Sequence, residues 1–321
     1  MERPWAGDPL DDFRIPNVKN RTASALLRHL GRVGRTLPYD LRGRGRIAST
    51  LTSLLLKSGA EPIVHCDMAA GQRLRLDCRV PSHCWTFFTG KYDDEKRSAL
   101  LSFLRPSGVA LDVGANIGFY TVPMAIRAKE IGSHVIAVEP VASNAQWLRY
   151  NLALNGCLDV TQVLEVALGN ECGQVEIVLA EDFLAGGTVG NATIASRELY
   201  GPQFSRAIVQ LERLDRIYHD RGRIDIVKLD IEGHETNFLE GGRATISEHR
   251  PVLLIELDRV HQEIRRIDFD TAILSLLPEH YTFAELRASG IVPIRNPAEC
   301  SDTDFLAVPE ERLPELRQHQ S

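Results

Sequence analysis

The chain has 321 residues, 44% of them hydrophobic and 25% charged, with a formal net charge of −6. That length suits one large α/β domain with an N-terminal addition and is enough to bury a full core. The acidic balance argues against a general nucleic-acid binder.

The six cysteines (Cys66, Cys78, Cys84, Cys157, Cys172 and Cys300) include no C-x-x-C pair. They signal neither a zinc site nor a disulfide framework, so a reducing cytoplasm is the expected setting. The N-terminus carries Asp8, Asp11 and Asp12 where a secretory signal would have an apolar run. The longest apolar stretch, about Ile47 to Leu56, is too short and too rich in Ser and Thr to span a bilayer.

In chain order, residues 1–16 hold three prolines and read as extended. Asn20 to Arg46 carries seven arginines against one acid, Asp40. Its apolar positions Ala25, Leu26, Leu30 and Val33 suit a short amphipathic helix. That helix either packs on the main domain or offers a basic arm to an acidic lipid head group, a phosphorylated substrate or a partner subunit. Ile47 to Lys57 reads as a second helix ended by Ser58-Gly59. Pro62 to Cys66 and Arg73 to Cys78 read as a strand pair turning at Ala69-Ala70-Gly71. Cys84 to Tyr92 is the densest aromatic cluster, either core packing or a lid over a ligand. Asp93-Asp94 is placed to cap a helix over Glu95 to Leu104.

Val109 to Tyr120 is the stretch around which the rest of the chain is organised. Val109, Leu111 and Val113 form a short buried strand after Pro106-Ser107-Gly108. Gly114 and Gly118 break it where a helix begins, and Asp112 aims a carboxylate at the opening. Backbone at such a bend can approach a cofactor closely. A dinucleotide site wants G-x-G-x-x-G, but Asn116 and Phe119 stand at the second and third glycine positions. S-adenosylmethionine (SAM) fits better, with Asp112 holding its ammonium or organising the groups that do. His134 to Val138 is the next strand. Glu139, 21 residues after Gly118, stands where an acid accepts both ribose hydroxyls.

Ala142 to Leu154 reads as a helix, stopped by Asn155-Gly156. Val160 to Ala167 reads as a third strand with its end beside the adenine, and Gln174 to Leu179 as an added strand. Glu181 to Ser205 is a Gly-rich connection assigned to the substrate-side wall. Leu211 to His219 reads as a short helix and Ile224 to Leu229 as a strand ending in Asp230. Gly233 to Glu248 is helical, broken by Gly241-Gly242, and Val252 to Leu257 is a strand. A helix near Asp270 to Leu277 and strands near Tyr281 and Phe305 finish the chain. The alternation predicts a doubly wound α/β sheet, whose ligands bind at the carboxyl ends of the strands. Asp112, Glu139, Asp230 and Glu256 fall at such ends and are expected to share one cleft.

Asp112-Val-Gly-Ala-Asn-Ile-Gly118, Val138-Glu-Pro140, Asn151-Leu-Ala-Leu-Asn155 and Lys228-Leu-Asp-Ile-Glu-Gly-His-Glu235, in that order, resemble the FkbM family of SAM-dependent methyltransferases. The resemblance runs from about Gly90 to Leu257. It implies a Rossmann-like class I methyltransferase sheet in residues 91–321, with 1–90 as a helical and β extension. It also implies O-methylation, and a Gly-x-Tyr-acid segment in which Tyr92 reaches the cofactor. Expected cofactor contacts are Tyr92, Asp112, Gly114, Ala115, Asn116, Gly118, Glu139, Pro140, Ala167 and Asp230.

For the chemistry, Asp230 is best placed to face the methyl group and His234 has the intrinsic pKa of a general base. Glu232 would orient His234 or hold an acceptor hydroxyl, and Glu235 is expected on the helix surface. A competing route has Asp230 and Glu256, with Asp258 close by, hold Mg²⁺. The leading expectation is O-methylation of a small-molecule hydroxyl on a sugar or a polyketide-like natural product. Alternatives are small-molecule N-methylation, a non-catalytic SAM-binding subunit, and a dehydrogenase. A homodimer is compatible with the pattern.

Overall fold

The computed structural model describes residues 20–39, 41–179, 192–193, 205–219, 221–256, 269–287 and 290–317. The predicted extended stretch 1–16, Asp40, most of Glu181 to Ser205, Leu257 and Asp258 lie outside the described residues.

Helix α1 (Arg21–Arg35) begins at Asn20, whose side chain accepts from the Ala23 amide at 3.0 Å. Helix α2 is Arg44–Lys57, and β1 (Ile63–Asp67) and β2 (Arg73–Asp77) form an antiparallel hairpin. Helices α3 (Pro81–Thr89) and α4 (Asp94–Leu101) lead into the main sheet. α1 closes on α3 through glycine: a Cβ on Gly31 would lie 2.2 Å from the Phe87 ring. The buried Arg44 donates to the carbonyls of Gly34 at 2.8 Å and Phe88 at 2.6 Å, tying α1, α2 and α3 together.

The main domain runs β3 (Val109–Val113), α5 (Thr121–Ile131), β4 (His134–Val138), α6 (Ala142–Leu154), β5 (Thr161–Leu164), β6 (Ala167–Leu168), β7 (Gly173–Leu179), β8 (Ala192–Thr193) and β9 (Ser205–Glu212). It continues with α7 (Leu214–Ile217), β10 (Ile224–Leu229), α8 (Glu235–Gly241), α9 (Arg243–His249), β11 (Val252–Glu256), α10 (Phe269–Leu276), β12 (Tyr281–Arg287), β13 (Gly290–Ile294), β14 (Asp304–Pro309) and α11 (Leu313–Arg317). Eight strands form one sheet in the order β13-β12-β14-β11-β10-β3-β4-β5. The strands from β11 to β5 are parallel, and β14, β12 and β13 add antiparallel. This is the predicted doubly wound, Rossmann-like sheet.

Val109, Leu111 and Val113 pack on one side of the sheet with Phe238 and Leu239 of α8, while Ala110 packs on the other with α5 and α6. A parallel strand covered on both faces is apolar throughout, as β3 is except at Asp112. From β3 the chain builds β4 and β5 on one side, then crosses to β10 on the other. The β3/β10 junction is therefore the topological switch point, where open α/β sheets bind ligands.

Asn151 on α6 and Asn155 at its C-terminal cap, one turn apart, pin the hairpin to the domain. Asn151 accepts from the Arg75 amide at 2.7 Å and donates to the Ile117 carbonyl at 2.8 Å. Asn155 accepts from the Arg73 amide at 2.9 Å. Among the described residues no helix is long and apolar enough to cross a membrane.

Several expectations are corrected. α1 buries Ala23, Leu27, Gly31 and Gly34, whereas Leu26 and Val33 are exposed, because the small stripe is the one that admits close contact with α3. In the aromatic cluster both readings find a part: Phe87 and Phe88, on helix α3, are buried core, whereas Tyr92, beyond the helix, reaches the cavity described below. Asp93 makes no capping bond: its φ is +46° and its side chain accepts from the Tyr120 hydroxyl at 3.4 Å. The predicted strand Val160 to Ala167 splits. β5 edges the main sheet, and the chain then crosses so that β6 pairs with β9 in a second sheet, β6-β9-β7-β8. The Leu211 to His219 helix shrinks to one turn, because Leu211 and Glu212 end a strand paired antiparallel along β7.

Candidate functional site

At the carboxyl ends of β3, β4, β10 and β11 lies a cavity of about 250 Å³. Its floor is the bend after β3. Gly114 has φ +84°, and a Cβ there would sit 1.8 Å from the Asp230 carbonyl oxygen, so only glycine lets the two strand ends meet. The amides of Gly114 and Ala115 both donate to the Val138 carbonyl at 3.0 Å, which locks the bend to β4. The Asn116 amide donates to Glu139 Oε2 at 2.8 Å, and the Val141 amide to Oε1 at 2.9 Å. Gly118 is outside the cavity lining; its turn, at φ +100°, packs against Leu148.

Two carboxyls here are deeply buried. Thr121 Oγ1 donates to Asp112 Oδ2 at 2.5 Å, and burial pushes the Asp112 pKa up to about 6. Burial pushes Glu139 up to about 7, against the pull of its amide bonds. Pro140, Ala167 and Asn144 continue this side of the wall. Tyr92 stacks on Phe119 with centroids 4.0 Å apart and planes 8° from parallel, and both rings line the cavity.

On the opposite side, Lys228 is 3% exposed, with its ammonium 3.1 Å from Asp304 and 3.6 Å from Asp230. Burial opposes its charge, but Asp304 and then Asp230 outweigh burial and hold its pKa well above the ordinary value. Lys96 also meets Asp304, at 2.6 Å. Glu256 is raised to about 11, by burial first and then by the hydrogen bond and charge of Asp230. Asp230 and Glu256 are thus brought together as the metal alternative requires. Their neighbour is an ammonium, however, and the described residues contain no cluster of three metal-ligating groups.

Glu232, at φ +54°, and His234 line the cavity from the turn after β10. Glu235 is not on the helix surface. It is 2% exposed, and its Oε1 accepts from the amides of Ile231 at 3.2 Å and Gly233 at 3.1 Å, bracing that turn. Burial raises its pKa from 4.5 to about 7. The folded state therefore keeps a proton that the unfolded chain releases near 4.5. This stabilising contribution is complete below that pH and is lost as pH rises through about 7. Glu235→Gln keeps an acceptor for both amides and cannot ionise. Urea unfolding at pH 5 and pH 8 should show the wild type losing on the order of 3 kcal/mol more than the variant. Equal losses would mean that Glu235 does not carry this pH dependence.

Of the predicted site residues that the structure describes, all but Gly118 line this cavity. Sequence reasoning assigned no role to Lys228, Tyr120, Asn144 or Asp304. For Lys228 a signal existed, a lone cation within the buried strand Ile224–Leu229.

Residues 112–287 match the model of the methyltransferase FkbM domain. Methyltransferase sdnD of Sordaria araneosa is 29% identical over 159 residues, covering 41% of this chain and 59% of that protein. Among solved structures, methyltransferase FkbM from Methylobacillus flagellatus is 19% identical, covering 82% of this chain and 59% of that one, with a TM-score of 0.40. TYW2 of M. jannaschii, solved in complex with AdoMet, is 13% identical, covering 78% and 86%, with a TM-score of 0.38. The chain thus spans under two thirds of the length of sdnD and of the Methylobacillus structure. With a family model that spans more than half of its length and begins at the Asp112 bend, the chain belongs to the FkbM methyltransferase family.

Proposed function

We propose that this protein transfers a methyl group from SAM to a hydroxyl of a small molecule, a sugar or a natural-product scaffold. The observation that carries this reading is the convergence of Asp112, Glu139, Asp230 and Glu256 on one cavity at the switch point of the sheet. The donor set suits SAM. Asp112 offers a carboxyl for an ammonium, the Gly114 bend offers close backbone, and Glu139, which accepts from the Asn116 and Val141 amides and the Asn144 side chain, keeps a lone pair for a ribose hydroxyl. Tyr92 and Phe119 supply an apolar aromatic wall. On this reading residues 91–321 hold cofactor and acceptor, and the 1–90 extension adds Ser82 of α3 to the wall.

SAM supplies the electrophilic methyl. The chain's own work is to orient the acceptor, exclude water and take the hydroxyl proton. Glu256 retains its proton at neutral pH, so the negative charge of the carboxyl pair rests on Asp230. Asp230 is our candidate for the group that accepts the alcohol proton, with Lys228 holding it in place. Glu232 and His234, further along the same turn after β10, would position the acceptor.

Calorimetric titration tests the cofactor half. SAM and its demethylated product should bind, NAD(H) should not, and Gly114→Ala should abolish binding by forcing Asp230 away from the bend. Undiminished SAM binding by Gly114→Ala, or NAD(H) binding in place of SAM, would overturn the reading.

A further inference from the structure

The basic N-terminal segment takes no part in the cavity. Residues 20–57 carry eight Lys/Arg against one acid, so the remainder of a chain of net −6 carries −13. Arg35 and Arg44 of this segment are used internally. Arg21, Arg28, Arg32, Arg42, Arg46 and Lys57 are exposed.

The same segment holds eight of the eleven exposed large hydrophobic side chains found among the described residues. They are ordered. On α2, Ile47, Leu51 and Leu54 recur at i, i+4 and i+7 and are 60%, 36% and 58% exposed. On α1, Leu26, the half-buried Leu30 and Val33 repeat that spacing. Each helix therefore has two stripes. One is buried against α3, and the other is apolar and turned to solvent, with Arg21, Arg28 and Arg32 on the remaining surface of α1 and Arg46 and Lys57 among Ser and Thr on that of α2. Contiguous exposed apolar surface on a folded protein marks a contact.

We propose that the α1–α2 face is a docking surface for an anionic phospholipid bilayer, which it meets peripherally. The chemistry selects this partner. A helix with an aliphatic stripe and Lys/Arg on its polar side seats the stripe at the acyl boundary and its cations among acidic head groups. A second copy meeting the same face symmetrically would set the exposed cations of both copies against each other. A nucleic acid would answer the arginines and leave the Ile and Leu stripes uncovered. The acidic remainder of the chain would be repelled by the same bilayer, which orients the molecule on the α1–α2 side.

The test is co-sedimentation of the full chain with phosphatidylcholine vesicles, with and without phosphatidylserine. Binding is expected only to the phosphatidylserine vesicles and should be released by high salt. Arg28→Gln/Arg32→Gln/Arg46→Gln should weaken it about a hundredfold, at about fivefold per cation. Ile47→Asp/Leu54→Asp should abolish it, with an unchanged melting temperature certifying the fold. Four outcomes would overturn the proposal: no binding by the folded wild type; equal binding by the charge variant; a dimer dissociated by Ile47→Asp/Leu54→Asp, assigning the face to a second copy; and RNA or DNA retention without vesicle binding.

Discussion

Replacing Asp230 with Asn is expected to lower methyl transfer about 10²- to 10⁴-fold, the usual span for removing a general base. The backbone should tolerate the change. The residue 230 amide donates to the Val113 carbonyl at 3.1 Å whichever side chain it bears. What is lost is the charge. In the wild-type pair Glu256, raised to about 11 by burial and by Asp230, holds its proton, so Asp230 is the carboxylate that the substitution removes. SAM affinity should change by less than about tenfold, so the loss should fall on kcat. Two companion experiments separate the rivals. Near-normal turnover by Asp230→Asn with collapse of His234→Ala would move the base to His234. Full activity after exhaustive EDTA treatment would dismiss Mg²⁺, whereas loss restored by Mg²⁺ would revive Asp230 and Glu256 as its ligands.

Lys228→Met should be the most destabilising single change at the site, by about 3 kcal/mol, toward the low end for a broken buried pair. Its ammonium lies 3.1 Å from Asp304 and 3.6 Å from Asp230. Asp304 would keep Lys96 at 2.6 Å. Asp230 would be left beside Glu256 with no cation in contact, and that residue decides the magnitude. The loss should therefore depend on the charge at position 230. In urea unfolding, Lys228→Met made in an Asp230→Asn background should cost at least about 1 kcal/mol less than in the wild type. Strict additivity would show that the two groups are not coupled.

The parts of this site that were legible in the sequence are those written in local terms. A β-branched run, a glycine bend and an acid at a strand end each arise from backbone sterics and strand burial within a few residues. Asp112, Gly114, Glu139 and Asp230 could therefore be placed, and with them the switch-point edge of the sheet. Partly legible was α1. Its periodicity was correct, but two stripes share that period, and only packing against Phe87 selects the one containing Gly31.

What the tertiary structure alone decided concerns charge in a low-dielectric interior. Whether Glu235 faces solvent or braces the turn depends on the amides of Ile231 and Gly233 being aimed at it. Whether Glu256 is an acid or a carboxylate depends on Asp230 arriving from a neighbouring strand. Lys228 is charged because Asp304, 76 residues away in sequence, pairs with it. Local sequence determines where the chain bends and which strand ends carry acids. The protonation state of each acid is a property of its neighbours in space, and those are set by the order of the strands.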